Sequence, residues 1–119
     1  ADNVNCAAAH SFYNGLTSLG GHSAPHGCCV AFGTLVQLVL EGVDQDEFSD
    51  VQGYCLEVGL PVTLAELGVS TPEQIKQIAE AACVPGETIH NLAGDVTPDA
   101  LYDAIVATDA MGKKVLGID

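Results

Sequence analysis

Two histidines on either side of a loop are the residues of this chain best suited to chemistry. His10 follows three alanines, and His26 follows Pro25 just before a long apolar run. Imidazole is the commonest protein ligand for zinc and other borderline metals. A helix that ends before a tight loop and a second helix that starts after it can bring two such rings to one ion. From spacing alone, such a pair is more often two histidines of the surface or core that bind no metal.

Several neighbours of these histidines have two interpretations each. His22 lies four residues before His26 and is either a third ligand or a loop residue. Cys28 and Cys29 are either a source of a thiolate ligand or small apolar filler on a buried helix. Tyr13 is either a packing group or a side chain that reaches the substrate region.

The elements that must position these residues are all helical. Apolar residues recur at helical spacing almost throughout, and no alternating strand pattern is present. The fold class predicted is all-α. The predicted helices span 3–14, 26–41 and 45–58, with a short helical turn over 63–67 and two further helices that start near Thr71 and Thr97.

Local signals set the predicted ends of these helices. Gly15 is expected to cap the first helix, which leaves 16–25 as a loop rich in helix breakers. Thr71-Pro72-Glu73-Gln74 combines an N-cap, a proline at the first helical position and a capping-box glutamine. The third helix is expected to bury one stripe, which consists of Phe48, Val51, Cys55 and Val58.

Composition excludes several classes of protein. The 119 residues are expected to form one domain, and they carry 16 acidic side chains, 3 lysines and a net charge of −13. That balance argues against nucleic acid and anionic membranes as partners, since both need lysine or arginine. Five cysteines are an odd set for a disulfide scaffold, so we expect reduced thiols in a cytoplasm. No signal peptide or membrane span is expected, because the apolar run from Cys28 to Leu40 is too short.

The chain resembles the C-terminal domain of the glycerol dehydrogenases, in the iron-containing alcohol dehydrogenase family with its dehydroquinate synthase-like fold. The resemblance extends in order along nearly the whole chain. The matching segments are Ala7 to His10, Asn14 to Thr17, His26-Gly27 with Val30 to Leu40, Val58 to Leu64, Gly86 to Asn91, Thr97 to Asp99 and Asp109 to Gly112.

The resemblance implies NAD-dependent oxidation of glycerol to dihydroxyacetone, assisted by one divalent metal, usually zinc. An Asp and two His hold the metal in this family, and by matching motifs His10 and His26 are the two His, as metal ligands and as catalytic residues. The Asp and the NAD site belong to a nucleotide-binding half, and this chain has no Gly-rich dinucleotide motif. His90 is expected either to line the cleft or to be purely structural.

Two kinds of function follow as hypotheses. In the first, residues 1–119 form a single helical metal-binding domain that is inactive until the missing half is added. Its substrate is glycerol, another small polyol or a different alcohol of the same family. The helix at 26–41 is apolar on every side and must be covered by something, and the resemblance implies a homo-oligomer. In the second, the chain is a standalone helical binding or scaffold module without catalysis.

Overall fold

The computed structural model describes residues 7–19, 25–83 and 96–118, with the backbone alone for residues 7–10. Within these ranges every regular element is helical, which confirms the all-α prediction. The helices are α1 (Ala7–Thr17), α2 (His26–Glu41), α3 (Gln45–Val58), a 3-10 turn (Ala65–Leu67), α4 (Pro72–Ala82) and α5 (Pro98–Leu116).

Capping residues start α4 and α5 and end α3 where the sequence predicts. The Thr71 hydroxyl accepts from the Gln74 backbone N–H, and the Gln74 side chain accepts from the Thr71 N–H, which completes the capping box of α4. The Thr97 hydroxyl caps α5 by accepting from the Ala100 backbone N–H. Gly59 ends α3 at φ 81°, a left-handed conformation that glycine adopts without steric cost.

The main core lies where α1, α2, α4 and α5 meet. α1 packs against both α2 and α4, and α5 packs against α2 and α4 in turn. Side chains from all four helices are fully buried there, among them Phe12, Phe32, Ile78, Leu101 and Ile105. A smaller apolar cluster joins α2, α3 and the segment after α3 through Leu35, Phe48, Cys55 and Val62.

The expected end of the first helix is wrong. α1 continues through Gly15 to Thr17, so Gly15 is a buried helical residue and Leu16 and Thr17 are not loop. A Cβ on Gly15 would lie 2.5 Å from the carbonyl oxygen of Ile78. The glycine is therefore required by the close crossing of α1 and α4 and not by a helix cap.

The predicted stripe of α3 is correct except at its end. Phe48 and Cys55 are buried and Val51 is half-buried, but Val58 is 51% exposed. At 100° per residue, Val58 lies about 80° around the helix from Phe48. Since α3 packs mainly on α2 among the described helices, its buried face is too narrow to include Val58.

Candidate metal centre at the start of α2

His26 is the first residue of α2, and its side chain is exposed. Pro25 precedes the helix in an extended conformation, and its carbonyl oxygen accepts from the backbone N–H groups of Cys28 and Cys29 at 3.0 and 3.2 Å. This places the imidazole at the positive end of the helix dipole, on the surface. An exposed ring at a helix start has room for a ligand.

The ring of Tyr13 lies against the ring of His26. Their centroids are 4.3 Å apart and their planes meet at 79°, an edge-to-face arrangement. Tyr13 belongs to α1, so this contact brings the middle of α1 to the start of α2. The contact follows from the packing of the two helices, in which Phe12 and Phe32 are fully buried with ring centroids 5.4 Å apart.

Position 10 lies on α1 three residues before Tyr13, and residues three apart lie on the same side of a helix. The side of α1 that carries position 10 is therefore the side that faces the start of α2. The side chain of His10 and the residues His22 and His90 lie outside the described residues. The pairing of His10 with His26 consequently stays a prediction.

Two contacts with α4 also hold α1 in position. The Gln77 side-chain amide of α4 donates to the Ser18 carbonyl just after α1, at 3.0 Å. Gly15 lets the backbones of α1 and α4 approach closely at Ile78. Because α4 supports α1 and α1 contacts His26, the local geometry near His26 depends on elements distant in sequence.

A complete metal site is not contained in the part of the chain that the structure describes. Within residues 11–19, 25–83 and 96–118, no three side chains of His, Cys, Asp or Glu are arranged so that they could hold one metal ion. His26 suits zinc by its chemistry and its exposure, but a catalytic zinc needs three protein ligands and an open position. The described residues can therefore supply one metal ligand, His26, whose exposed side chain leaves room for the metal to bind.

The two cysteines after His26 differ in environment. Cys29 is fully buried, and burial followed by the charge of Cys28 raises the pKa of its thiol. A protonated buried thiol is neither a nucleophile nor a metal ligand. Cys28 is half-buried and packs against the main core. The geometry favours the interpretation of Cys29 as apolar filler.

The remaining described thiols, those of Cys55 and Cys83, are also protonated more readily than an exposed thiol. Burial raises the pKa of Cys55 and of Cys83, and within the described ranges no disulfide forms between cysteines. Cys6 lies outside the described residues, and the reduced state of the five thiols stays a prediction. No helix within those ranges combines the length and apolar character needed to cross a bilayer.

A groove of about 430 Å³ lies elsewhere, between the starts of α4 and α5. Its lining includes Lys76 and Tyr102 together with the carboxylates of Glu73, Glu80 and Asp99. The sequence analysis assigns none of these residues to a functional site. Three carboxylates beside one lysine disfavour an anionic ligand, and the groove contains no residue that the metal hypothesis needs.

Known proteins resemble this chain in sequence and in the arrangement of its helices. No protein-family model matches the chain. The glycerol dehydrogenase of Pseudomonas putida is 46% identical over 113 residues, which are 92% of this chain and 31% of that protein. The glycolaldehyde reductase of Halobacterium salinarum is 48% identical over 112 residues, with the same two shares. A solved structure of a probable glycerol dehydrogenase from Sinorhizobium meliloti 1021 matches with a TM-score of 0.84 at 43% identity, over 91% of this chain and 31% of that one.

These matches define the class of fold, which is that of the helical C-terminal part of dehydrogenase structures. In sequence and fold the chain is similar to the C-terminal part of glycerol dehydrogenases, which confirms the resemblance drawn from its motifs. The chain spans 31% of the length of the relatives described above. Their names describe whole proteins roughly three times as long.

Proposed function

We propose that this chain is the metal-binding helical part of an NAD-dependent glycerol dehydrogenase. The observation that carries the proposal is the similarity over 92% of the chain to a glycerol dehydrogenase, at 46% identity. The substrate proposed is glycerol or another small polyol, and the hydride acceptor is NAD bound by a separate nucleotide-binding part. A cytoplasmic location and assembly with further copies of the chain are part of the proposal.

His10 and His26 are proposed as two ligands of one divalent metal, with zinc as the first choice. A bound zinc would supply a Lewis acid that lowers the pKa of an alcohol hydroxyl and so eases loss of its proton. His26 would orient the substrate from the exposed start of α2, where the helix dipole favours negative charge on the substrate oxygen. Aiming the substrate carbon at the nicotinamide would be the task of both parts together.

The fit of the metal rests on the donor set. Two imidazoles suit zinc, but the described residues supply no group of three ligands, so a third ligand is proposed to come from the nucleotide-binding part. Because the metal ligands would come from two parts of the protein, we expect that the 119-residue chain alone oxidises no glycerol.

The test is a comparison of the chain alone with the chain fused to the nucleotide-binding part of the Pseudomonas putida enzyme. NADH formation from glycerol and NAD is expected from the fusion only, and His10→Ala or His26→Ala in the fusion should reduce it to background. Gln45→Ala, at an exposed position on α3, is the matched control and should leave the rate unchanged. Turnover by the chain alone, or by the fused histidine variants, would contradict the proposal.

A second candidate activity rests on the Halobacterium relative, which is named a glycolaldehyde reductase and is 48% identical. It would use the same residues to reduce a small hydroxyaldehyde with NADH. The same fusion distinguishes the two: faster consumption of NADH with glycolaldehyde than formation of NADH with glycerol would favour the reductase. No activity in either direction would favour the scaffold hypothesis.

A further inference from the structure

His26 has little to hold its own ring in place. Its side chain is exposed at the first position of α2, where an imidazole can rotate about two side-chain bonds. A metal ligand binds most tightly when its ring is already oriented, because freezing a mobile side chain costs free energy. A neighbour that limits this rotation would therefore raise the affinity for metal.

Tyr13 has the position and the rigidity to be that neighbour. Its ring meets the His26 ring edge to face at a centroid distance of 4.3 Å, slightly shorter than the range of about 4.5–7 Å that is usual for aromatic pairs. Unlike His26, Tyr13 is half-buried and packs against the main core. The residue before it, Phe12, is fully buried against Phe32, which fixes α1 at this point.

We propose that Tyr13 is a positioning residue for His26, whose aromatic ring holds the imidazole in the orientation that binds the metal. The inference rests on the proposed function and deepens it by adding a residue that touches no metal itself. Position 10 lies on the same side of α1 as Tyr13. One helix face thus carries one proposed ligand and the side chain that orients the other.

The test measures the zinc affinity of the fusion described above, which also contains the third proposed ligand, by competition with a chromophoric chelator. Tyr13→Phe keeps the ring and should bind zinc within about twofold of the unchanged fusion. Tyr13→Leu keeps an apolar side chain without the ring and should bind about threefold to tenfold more weakly, as expected for loss of one aromatic pair. Tyr54→Leu, at an exposed tyrosine of α3, is the matched control and should change nothing.

A second measurement does not depend on the variants or on metal. In the metal-free chain, a nuclear Overhauser cross-peak between the ring protons of Tyr13 and His26 is expected, since the rings are in contact. Its absence would overturn the proposal even if Tyr13→Leu failed to fold. Helical circular dichroism of each variant establishes that weaker zinc binding is not unfolding.

The outcomes separate this inference from the proposed function. If His26→Ala binds zinc as tightly as the unchanged fusion, His26 is not a ligand and the proposed function fails. If His26→Ala loses zinc while Tyr13→Leu retains it, the ligand assignment stands and the positioning role of Tyr13 is wrong. Equal losses in Tyr13→Phe and Tyr13→Leu would also overturn the role assigned to the ring.

Discussion

Gly15 shows how one hydrogen atom in place of a side chain sets the distance between two helices. It lies inside α1, where glycine is normally unfavourable by about 1 kcal/mol relative to alanine. The Ile78 carbonyl oxygen of α4 lies only 2.5 Å from the place where a Cβ would be. Since α1 also carries Tyr13, this contact is part of what brings Tyr13 to His26.

We expect Gly15→Ala to lower the free energy of unfolding by about 1–2 kcal/mol. A Cβ would force α1 and α4 apart, and overpacking of this kind costs about 1–3 kcal/mol, only partly offset by better helix propensity. Gly53→Ala is the matched control, because Gly53 lies in the interior of α3 with open space around it, and it should raise stability by up to about 1 kcal/mol. Urea unfolding of both variants measures the difference, and equal gains would show that the crossing is not tight.

At the scale of whole helices, sequence reasoning succeeds where the signal is local. The start of α4 follows from Thr71, Pro72 and Gln74, and the range of α2 was predicted at 26–41 as found. The end of α1 could not be predicted, because Gly15 serves a contact with Ile78, which lies 63 positions further along the chain. A single sequence does not distinguish a glycine that ends a helix from one that lets another helix approach.

The candidate site also combines features that local sequence determines with features that depend on contacts between distant residues. The placement of His26 at a helix start is a local property, and the sequence predicts it. The contact of His26 with Tyr13 depends on how α1 and α2 pack, so the sequence left Tyr13 between two interpretations. The packing orientation comes from buried pairs such as Phe12 with Phe32, whose partners no local pattern identifies.

The interface of α2 with α3 contains a buried polar group that lowers its stability. Gln52 of α3 is 6% exposed, and its side-chain nitrogen has no hydrogen-bond partner within the described structure. Gln37 of α2 is also buried, but its amide donates to the carboxylate of Glu41 at 3.2 Å. An unsatisfied buried donor costs about 1–3 kcal/mol, whereas a satisfied one contributes favourably.

We therefore expect Gln52→Met to leave the free energy of unfolding unchanged or to raise it by about 1 kcal/mol, since an unbranched apolar side chain of similar size removes the unpaired donor. Gln37→Met removes a hydrogen bond and should be less favourable than Gln52→Met by about 1 kcal/mol. Chemical denaturation of the two variants gives the comparison. If Gln52→Met proves the more destabilising change, a buried water or a further partner must satisfy Gln52.

For the whole molecule, charge is the property that most distinguishes this chain. The sequence contains sixteen acidic side chains, three lysines and no arginine, which gives a net charge of −13. Within the described residues the one ion pair joins Lys113 to Asp109, which also accepts from the Leu64 backbone N–H and so ties α5 to the segment before the 3-10 turn. Most carboxylates consequently repel one another, and self-repulsion of this kind destabilises a compact state.

Salt should relieve that repulsion, because the distance over which charges interact falls from about 10 Å at 0.1 M to about 3 Å at 1 M. We expect the free energy of unfolding to rise by about 1 kcal/mol or more between these NaCl concentrations, with Tm higher by about 4 °C. A variant with Asp50→Asn, Glu57→Gln and Asp103→Asn, three exposed positions, should start more stable at 0.1 M and gain less from salt. Thermal unfolding followed by circular dichroism measures both. An equal gain in the neutralised variant would indicate a general effect of salt on apolar burial, and no gain in either would mean that these charges are too far apart to oppose folding.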